Sequence, residues 1–203
     1  MADKPFAEAT ARNEAPILEV LRQEFRECVR VLEIGSGTGQ HAVRFAGVLD
    51  HLFWQTSDLD ENHPGINAWI ADAIVDNVGA PLSLDVRTAE HPGPDYDGVF
   101  SANTAHIMSL DAVGRMFALV GKVLQSRGCF CLYGPFKING QFNTRSNAAF
   151  DAGLRMRDPR MGIRDLEELE ALGRTHQLER RRLYAMPSNN HIAVWIRVPE
   201  DQS

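Results

Sequence analysis

The sequence predicts an α/β fold in which helices cover both faces of a mostly parallel, seven-stranded sheet that ends in an antiparallel strand pair. Short apolar runs alternate with segments of helical periodicity between residues 15 and 134, and two further apolar runs lie near the end of the chain. Strands that alternate with helices of this length are typical of a parallel sheet, because each helix returns the chain to the same sheet edge.

Each element follows from its periodicity. Apolar residues three or four positions apart predict helices, and β-branched or alternating apolar runs predict strands. Only four residues separate the last two strands, which suits a hairpin and therefore an antiparallel pair. The predicted strands are 29–34, 52–57, 81–86, 96–101, 128–134, 178–186 and 191–198, and the predicted helices are 15–27, 40–49, 64–78, 110–124 and 165–173.

Two segments interrupt this alternation within a single predicted domain, residues 1–203. Residues 1–14 are small and polar, and we expect them to lie as an arm over the domain. Residues 137–164 follow the fifth strand and hold six basic residues against two acidic ones. A charge cluster of this kind is typical of a solvated face.

The charge balance and the cysteine usage disfavour several classes of function. Lys and Arg number 21 against 27 Asp and Glu, a net charge of −6, which argues against nucleic acid and anionic membranes as partners. Cys28, Cys129 and Cys131 lack the spacing of a disulfide framework or a zinc site, so we expect no metal. Cys129 and Cys131 would share one face of a strand, and we expect both in the core. The sequence shows neither a secretory leader nor an apolar stretch of bilayer length, so we expect a cytoplasmic protein.

The segment Val31-Leu-Glu-Ile-Gly-Ser-Gly-Thr-Gly-Gln40 carries the strongest functional signal. Gly35, Gly37 and Gly39 follow a buried strand and precede a helix, where bare backbone can turn tightly and lie against a ligand. The dinucleotide fingerprint would place its third glycine at position 40, which is Gln40 here. We therefore expect an adenosyl or nucleotide ligand, although the spacing departs from that of nicotinamide enzymes.

Glu33 favours one kind of cofactor over the other. A dinucleotide brings a pyrophosphate to the helix N-terminus, where an acid two positions before the first glycine would not help. S-adenosyl-L-methionine has no phosphate and carries an ammonium and a sulfonium, so a nearby acid suits it better. Residues 33–39, with Ser36 between the glycines, resemble the first motif of class I methyltransferases. This resemblance implies a Rossmann-like class I methyltransferase fold, S-adenosyl-L-methionine as cofactor and S-adenosyl-L-homocysteine as product.

Further cofactor residues are expected at the ends of the next three strands. Asp58 stands nineteen residues past the last glycine, the distance at which a carboxylate meets ribose hydroxyls, and Leu59 follows it. Asp85 resembles the methyltransferase acid that reaches the adenine amino group, and Val86 is beside it. Asn103 follows the fourth strand, where its amide would lie beside the cofactor. The two aspartates could instead be polar caps of their strands.

Five segments carry a closer resemblance. They are Arg12-Asn-Glu-Ala-Pro-Ile-Leu-Glu19, Trp54-Gln-Thr-Ser-Asp-Leu-Asp60, Ala102-Asn-Thr-Ala-His106, Tyr133-Gly-Pro-Phe136 and Asn189-Asn-His191. Together they resemble a family of methyltransferase-like proteins known as domain of unknown function 938. The resemblance covers nearly the whole chain and implies no substrate. From it we expect Arg12 and Asn13 to contribute to substrate binding.

Three residues are candidates for catalysis at the carboxyl edge of the sheet, where open α/β sheets bind ligands. His106 follows the fourth strand and could act as a general base or merely cap a helix. Tyr133 ends the fifth strand and could orient a substrate or be a half-buried aromatic. If the last strand is antiparallel, His191 begins at this same edge, and the turn with Asn189 and Asn190 overhangs the pocket. A polar hairpin turn is the alternative.

These residues predict a methyltransferase that acts on a small molecule. We expect direct, in-line transfer from the sulfonium to an O, N or S nucleophile, with His106 needed only where the nucleophile must lose a proton. Residues 137–164 would form a substrate lid that offers Arg145 and Lys137 to an anionic group. A non-catalytic cofactor-binding protein or partner subunit and, less favoured, an NAD-dependent oxidoreductase are the alternatives. The sequence predicts neither the substrate nor the oligomeric state.

Overall fold

The computed structural model describes residues 4–90, 93 and 95–199. The helices of this part are α1 (Glu8–Glu24), α2 (Gln40–Ala46), α3 (His63–Asp72), α4 (Leu110–Val123), α5 (Arg145–Arg157) and α6 (Leu166–Arg174). Its strands are β1 (Arg30–Ile34), β2 (Phe53–Asp58), β3 (Val78–Ser83), β4 (Tyr96–Ala102), β5 (Leu124–Gly134), β6 (Phe136–Lys137), β7 (Arg164–Asp165), β8 (Leu178–Met186) and β9 (Asn190–Arg197). Residues 1–3 of the predicted arm and 200–203 of the predicted domain lie outside the described residues.

The main sheet confirms the predicted topology. Within the described residues its seven strands run in the order β3-β2-β1-β4-β5-β9-β8. Neighbouring strands pair in parallel from β3 to β5, whereas β9 lies antiparallel between β5 and β8. The chain reverses its direction of travel across the sheet between β1 and β4. In open α/β sheets this switch point is where the carboxyl ends of the strands open a crevice for ligands.

Helices cover both faces of the sheet, as predicted. On the face of α1 and α2, the ring of Phe45 meets those of Trp54 and Phe100 edge-on, with centroids 5.6 and 5.7 Å apart. On the face of α4, Phe117 meets Trp195 in the same way at 5.2 Å. All five side chains are fully buried, and each contributes about 1.5–3 kcal/mol or more to folding through the apolar area it removes from water.

The cysteines are packing residues. Cys28, Cys129 and Cys131 are buried and unbridged, which confirms the predicted core position of Cys129 and Cys131. Among the described residues, no helix is both long and apolar enough to traverse a bilayer. In the same part of the chain, no three His, Cys, Asp or Glu side chains come together in a way that could hold a metal ion.

α1 begins at Glu8, seven residues before the predicted helix start, so residues 8–14 of the expected arm are helical instead. A glutamate in the first turn suits the positive end of the helix, and Arg12 pairs with it one turn further on, at 3.2 Å. Residues 4–7 precede the helix as a short extended segment. This segment lies on α3, where the indole of Trp69 donates to the carbonyl oxygen of Pro5 (2.7 Å).

β3 begins three residues before its predicted start and ends at Ser83, so Asp85 lies beyond the strand rather than at its end. Pro81, expected as the first residue of this strand, lies inside it. The strand tolerates a residue without an N–H because β3 is an edge strand of the sheet. The preceding helix is correspondingly shorter than predicted and ends at Asp72.

Residues 137–164 contain a helix, α5, that the sequence pattern did not predict. α5 lacks an apolar stripe, because its buried face includes Asn147 and Asp151. The hydroxyl of Thr144 caps the helix by accepting the amide of Asn147 (3.2 Å), and Asp151 accepts the amide of Ile163 (2.7 Å). The helix is thus fixed by polar contacts, which apolar periodicity does not reveal.

The packing of α3 under the glycine loop gives a stability prediction. Ile66 is fully buried, whereas Ile74, just after the same helix, is fully exposed. Ile66→Ala should lower the free energy of unfolding by about 2–5 kcal/mol, because it leaves a cavity, and Ile74→Ala should change it by less than about 0.5 kcal/mol. Chemical denaturation of both variants measures the difference. Equal effects would contradict the packing described here.

Candidate functional site

The glycine loop begins where β1 ends and takes left-handed backbone at three positions. The angle φ is +75° at Gly35, +58° at Gly37 and +90° at Gly39, values that residues with side chains rarely adopt. The amides of Gly35 and Ser36 both donate to the carbonyl oxygen of Ser57, each at 3.0 Å. The last residues of β2 therefore anchor the loop that follows β1.

The three glycines have different surroundings. A Cβ at Gly35 would lie 2.7 Å from Cγ2 of Thr104, and one at Gly39 would lie 2.9 Å from the Cα of Ile66. These two positions need glycine because protein atoms press against them. A Cβ at Gly37 would meet no atom within 4 Å. Gly37 thus turns bare backbone toward open space, as a loop that receives a ligand must.

Asp58 ties this loop to the end of β2. Its Oδ2 accepts the amide of Gly37 (2.7 Å), and its Oδ1 accepts the amide of Leu59 (2.7 Å) and the side-chain amide of Asn62 (2.8 Å). The carboxylate is nearly buried, at 8% exposure. Burial of a charge is tolerated here because N–H donors from three residues surround it.

Glu33 is buried beneath the loop at the carboxyl end of β1. Its Oε2 accepts the indole N–H of Trp54 (3.1 Å). Burial raises the pKa of Glu33 to about 7, against the lowering effect of hydrogen bonds from Trp54 and Ser36, and the charge of Asp58 raises it further. The carboxyl is therefore partly protonated near neutral pH, and a cation bound close by would favour its ionised form.

The segments after β2 and β3 lie side by side at the same edge. The amide of Leu84 donates to the carbonyl oxygen of Asp58 (3.0 Å). Leu59 exposes 37% of its surface here, and Val86 is only partly buried. The carboxylate of Asp85 is held by the guanidinium of Arg87 at 2.5–3.0 Å, and this contact lowers the pKa of Asp85.

Asn103 begins the loop after β4 in a left-handed conformation, with φ +59°. Its amide donates to the carbonyl oxygen of Tyr133 (2.9 Å), which fixes the loop to the end of β5. The hydroxyl of Ser101 donates to the carbonyl oxygen of Ile34 (2.7 Å), so the ends of β1 and β4 are joined as well. Asn103 is thus held at the switch point of the sheet.

His106 lies in the same loop under α5. It is 7% exposed, and its ring meets that of Phe150 edge-on with centroids 5.3 Å apart. Burial lowers the pKa of His106 to about 4, and the charges of Arg164 and Arg157 lower it further. His106 is therefore neutral at physiological pH and can accept a proton. Its ring nitrogens form no hydrogen bond with another described residue, and its carbonyl oxygen accepts the amide of Gly162 (2.9 Å).

Tyr133 belongs to a polar cluster on the opposite face of the sheet. Its hydroxyl accepts the side-chain amide of Asn190 (3.0 Å) and is also hydrogen-bonded to Asn13. Burial raises the pKa of Tyr133. Oδ1 of Asn13 accepts Nε2–H of His41 (2.8 Å), and burial lowers the pKa of His41 to about 4. α1, α2, β5 and β9 thus meet through four uncharged side chains.

The turn between β8 and β9 reaches the carboxyl edge and is tied to α5. The carbonyl oxygen of Asn189 accepts the side-chain amides of Asn143 (3.2 Å) and Asn147 (3.1 Å). His191 follows as a residue of β9 and pairs across the ladder with Gly134 at the end of β5. His191 was expected near the site on the condition that the last strand is antiparallel. The pairing of β5 and β9 meets this condition.

The basic residues of 137–164 have different surroundings. Arg155 and Arg160 are paired with carboxylates at 2.7 and 2.8 Å. Arg164 is buried and donates to the carbonyl oxygens of Ala105, Met108 and Arg160, so it holds the loop of His106 in place. Arg145 is exposed at the first turn of α5, which has no acidic residue. Lys137 lies over the ring of Phe142, with Nζ 5.6 Å from the centroid.

The contacts of two residues, Arg12 and His41, differ from those that the sequence motifs predict. The structure does not bring Arg12 to the cluster of Asn13, because its side chain is 70% exposed and pairs with Glu8. His41 has a polar contact that the sequence pattern does not predict. Its spacing placed it in the apolar stripe of α2, and only the long-range contact with Asn13 reveals a polar role.

A family model described as "Protein of unknown function (DUF938)" matches residues 4–197. The chain belongs to this family. The match spans nearly the whole sequence, and it agrees with the resemblance of the five segments named above.

Solved structures, several of them named as methyltransferases, have the same fold. An O-methyltransferase family protein from Burkholderia thailandensis superposes with a TM-score of 0.77 at 14% identity, over 96% of this chain and 59% of that one. The mitomycin 7-O-methyltransferase MmcR gives 0.80 at 14%, over 94% and 54%, and PigF with SAH gives 0.77 at 13%, over 94% and 64%. The chain spans a little over half the length of these proteins. The likeness establishes the class I, Rossmann-like methyltransferase fold for the DUF938 chain.

The buried carboxyl of Glu33 gives a prediction for the pH dependence of stability. Because burial raises the pKa of Glu33 from 4.5 to about 7, the folded protein keeps a proton between these values that the unfolded chain has lost. The contribution of Glu33 to the stability of the wild type should therefore fall as the pH rises through this window, and Glu33→Gln lacks this contribution. The stability of Glu33→Gln relative to the wild type should rise by roughly 2–3 kcal/mol from about pH 5 to about pH 8.

Chemical denaturation of the two proteins across this pH range measures the difference. The histidines titrate equally in both, so their effects cancel in the comparison. A difference that stays constant with pH would show that Glu33 is ionised in the folded protein.

Proposed function

We propose that this DUF938 chain is an S-adenosyl-L-methionine-dependent methyltransferase that acts on a small molecule. The observation that carries the proposal is the open side of Gly37. The amide of this residue is 2.7 Å from the carboxylate of Asp58, and no atom lies within 4 Å of the position a Cβ would take. Solved neighbours named as methyltransferases support the same kind of reaction.

The residues at this edge suit the cofactor. Oδ2 of Asp58 accepts only one hydrogen bond from the described residues, so the carboxylate keeps acceptor capacity for ribose hydroxyls. Leu59 and Val86 offer apolar surface to an adenine ring, and Asp85 would reach its amino group only after release from Arg87. When bound, the cofactor supplies a methyl group on a sulfonium, which is already activated for transfer.

The cationic end of the cofactor would lie near Glu33 and Asn103. An ammonium and a sulfonium favour the ionised form of Glu33, and the pKa of about 7 means that little free energy is needed to ionise it. Asn103 would offer its amide from the first position after β4. Gly35, Ser36 and Gly39 shape the loop that presents these groups.

A nicotinamide dinucleotide would suit this loop less well. Gln40 stands where the dinucleotide fingerprint has its third glycine. Its side chain is 4% exposed and accepts the amide of Ala7 (2.6 Å) and the hydroxyl of Thr38 (3.0 Å). An ionised Glu33 near the loop would also repel a pyrophosphate. This weakens the case for the oxidoreductase.

His106 would serve as the general base wherever the nucleophilic O, N or S atom must lose a proton. It is neutral, the ring of Phe150 on α5 lies against it, and Gly162, in the loop after α5, donates its amide to the carbonyl oxygen of His106. Such a base at the carboxyl edge, beneath a covering helix, favours an enzyme over a non-catalytic carrier. Tyr133, Asn13 and Asn190 would orient the substrate from the other face.

The substrate would carry an anionic group that meets the lid. Arg145 and Lys137 have no carboxylate partner within hydrogen-bond distance among the described residues, and the first turn of α5 adds the positive end of the helix dipole. The hairpin residue Asn189 is tied to the same helix, so the lid and the turn would close over the substrate together.

The cofactor proposal is tested by calorimetric titration of the wild type, Gly37→Ala and Gly140→Ala with S-adenosyl-L-methionine, S-adenosyl-L-homocysteine and NAD. Gly37 and Gly140 both have positive φ and no atom within 4 Å of a Cβ, so both changes cost a similar strain of about 1–2 kcal/mol. Only the methyl group at position 37 would stand against the ligand. Gly37→Ala should weaken the binding of S-adenosyl-L-homocysteine by about tenfold or more, and Gly140→Ala should not.

Binding of NAD alone would overturn the proposal. Binding of both sulfur compounds without transfer of a labelled methyl group to any acceptor in a metabolite extract would favour the non-catalytic cofactor-binding protein. Equal losses of affinity in the two glycine variants would show that strain, not contact, governs binding.

The anionic part of the substrate gives a second test. Arg145→Ala should raise KM for the acceptor by about tenfold and leave kcat nearly unchanged, because a binding contact is lost while His106 stays in place. Arg26→Ala removes another exposed arginine that precedes β1, at the other edge of the sheet, and should change neither constant. An unchanged KM in Arg145→Ala would show that the lid does not bind the anion there.

A further inference from the structure

Two histidines flank the end of β5 on one face of the sheet. Gly134, the last residue of β5, pairs directly with His191 of β9. Residues directly opposite each other in an antiparallel pair project to the same face, with Cβ atoms about 4.5–5.5 Å apart. A Cβ at Gly134 would lie 3.7 Å from Nδ1 of His106. The bare Cα of Gly134 thus leaves a space bordered by both imidazole rings, which we term the Gly134 niche.

Both imidazole rings have nitrogens available to form hydrogen bonds with a ligand in this niche. Neither forms a side-chain hydrogen bond with another described residue, although both lie in a region held together by polar contacts. Nδ1 of His191 is buried without a hydrogen-bond partner among the described residues. The ring centroids of His191 and Phe136 are 6.5 Å apart. Because the whole residue is only partly buried, Nε2 is the nitrogen that His191 can present to a ligand.

The buried Nδ1 also fixes the charge of His191. An imidazolium would carry a second N–H at this atom, and that N–H would be buried without an acceptor, which costs about 1–3 kcal/mol or more. The neutral ring with its proton on Nε2 avoids this cost. His191 therefore offers a single N–H donor to the niche, while neutral His106 offers an acceptor.

We propose that the Gly134 niche binds an uncharged substrate group that both donates and accepts a hydrogen bond, a hydroxyl above all, and that His191 selects it. The group donates to His106 and accepts from Nε2–H of His191. With the proton of His106 on Nε2, its Nδ1 is an acceptor; a carboxylate cannot donate to it and is therefore disfavoured at this position. The inference rests on the proposed methyltransferase, because it names the part of the substrate nearest to the candidate base.

The geometry separates two substrate features. The anionic group assigned to Arg145 and Lys137 lies at the outer edge of the lid, whereas the hydroxyl lies beneath it, between two neutral rings. Arg164, which is close to His106, donates to backbone carbonyl oxygens and so directs these N–H groups away from the niche. The two rings carry no charge of their own and therefore distinguish a bound group by its hydrogen-bonding capacity.

The test uses phenol and benzoate as probes on the full chain labelled with ¹³C and ¹⁵N in histidine, followed by NMR. Phenol should shift the ring signals of both His106 and His191, and benzoate should bind about tenfold more weakly, the factor of one lost hydrogen bond. The ring of His191 should show its proton on Nε2. A proton on Nδ1, equal binding of the two probes, or no shift in either ring would overturn the inference.

Two substitutions at His191 distinguish its nitrogens. The amide of glutamine reaches the position of Nε2, and that of asparagine reaches only the position of Nδ1. His191→Gln should therefore keep the preference for phenol over benzoate, and His191→Asn should lose it. Equal losses in both variants would show that His191 only packs and would contradict its selective role.

Gly134→Ala fills the niche without disturbing the fold, because its methyl group would make only an ordinary contact at 3.7 Å. It should abolish the shifts caused by phenol. Gly114→Ala on α4 adds a methyl group with its nearest atom also at 3.7 Å, but far from the niche, and should leave them intact. Retained shifts in Gly134→Ala would contradict the location of the site.

Calorimetry with S-adenosyl-L-homocysteine on the same samples separates the two proposals. If S-adenosyl-L-homocysteine binds every variant and the expected effects of phenol are absent, only the niche inference fails. If phenol has the expected effects and S-adenosyl-L-homocysteine binds none of the variants, the niche stands and the cofactor assignment fails.

Discussion

The site depends on one carboxylate, that of Asp58 at the end of β2. One of its oxygens accepts from the amide of Gly37, and the other accepts from Leu59 and Asn62. A buried carboxylate is costly unless donors surround it, so the loop after β1 and the turn after β2 must adopt their conformations together. The left-handed glycines follow from this requirement, and so does the bare backbone that Gly37 turns outward.

The sheet order brings two chemically different faces to this loop. On the side of α1 and α2, Glu33 and the cluster around Tyr133 provide buried hydrogen-bonding groups and one carboxyl that ionises near neutral pH. On the side of α4, the ring of His106 lies against Phe150 of α5, and the ring of His191 lies near Phe136. Because β9 runs antiparallel, its first residues arrive at the carboxyl edge and complete this second face. A cofactor in the loop would lie between Glu33, which favours a cation, and His106, which can accept a proton.

Local patterns predicted the sheet, the glycine loop and the position of His191, because periodicity, glycine spacing and strand direction are all encoded in short segments. α5 escaped prediction because its contacts, such as Asp151 with the amide of Ile163, are polar and non-periodic. The role of His41 depends on Asn13, which lies on another helix. Arg164 has the sequence character of a surface residue, yet it is buried because carbonyl oxygens satisfy its N–H groups.

We expect Asp58 and Gly37 together to form the cofactor site, and a crystal structure of the chain with S-adenosyl-L-homocysteine would examine this. The ligand should lie along the open side of Gly37, with its ribose hydroxyls on Asp58 and its amino group toward Glu33. A ligand bound elsewhere, with the loop and Asp58 free of contact, would contradict this expectation.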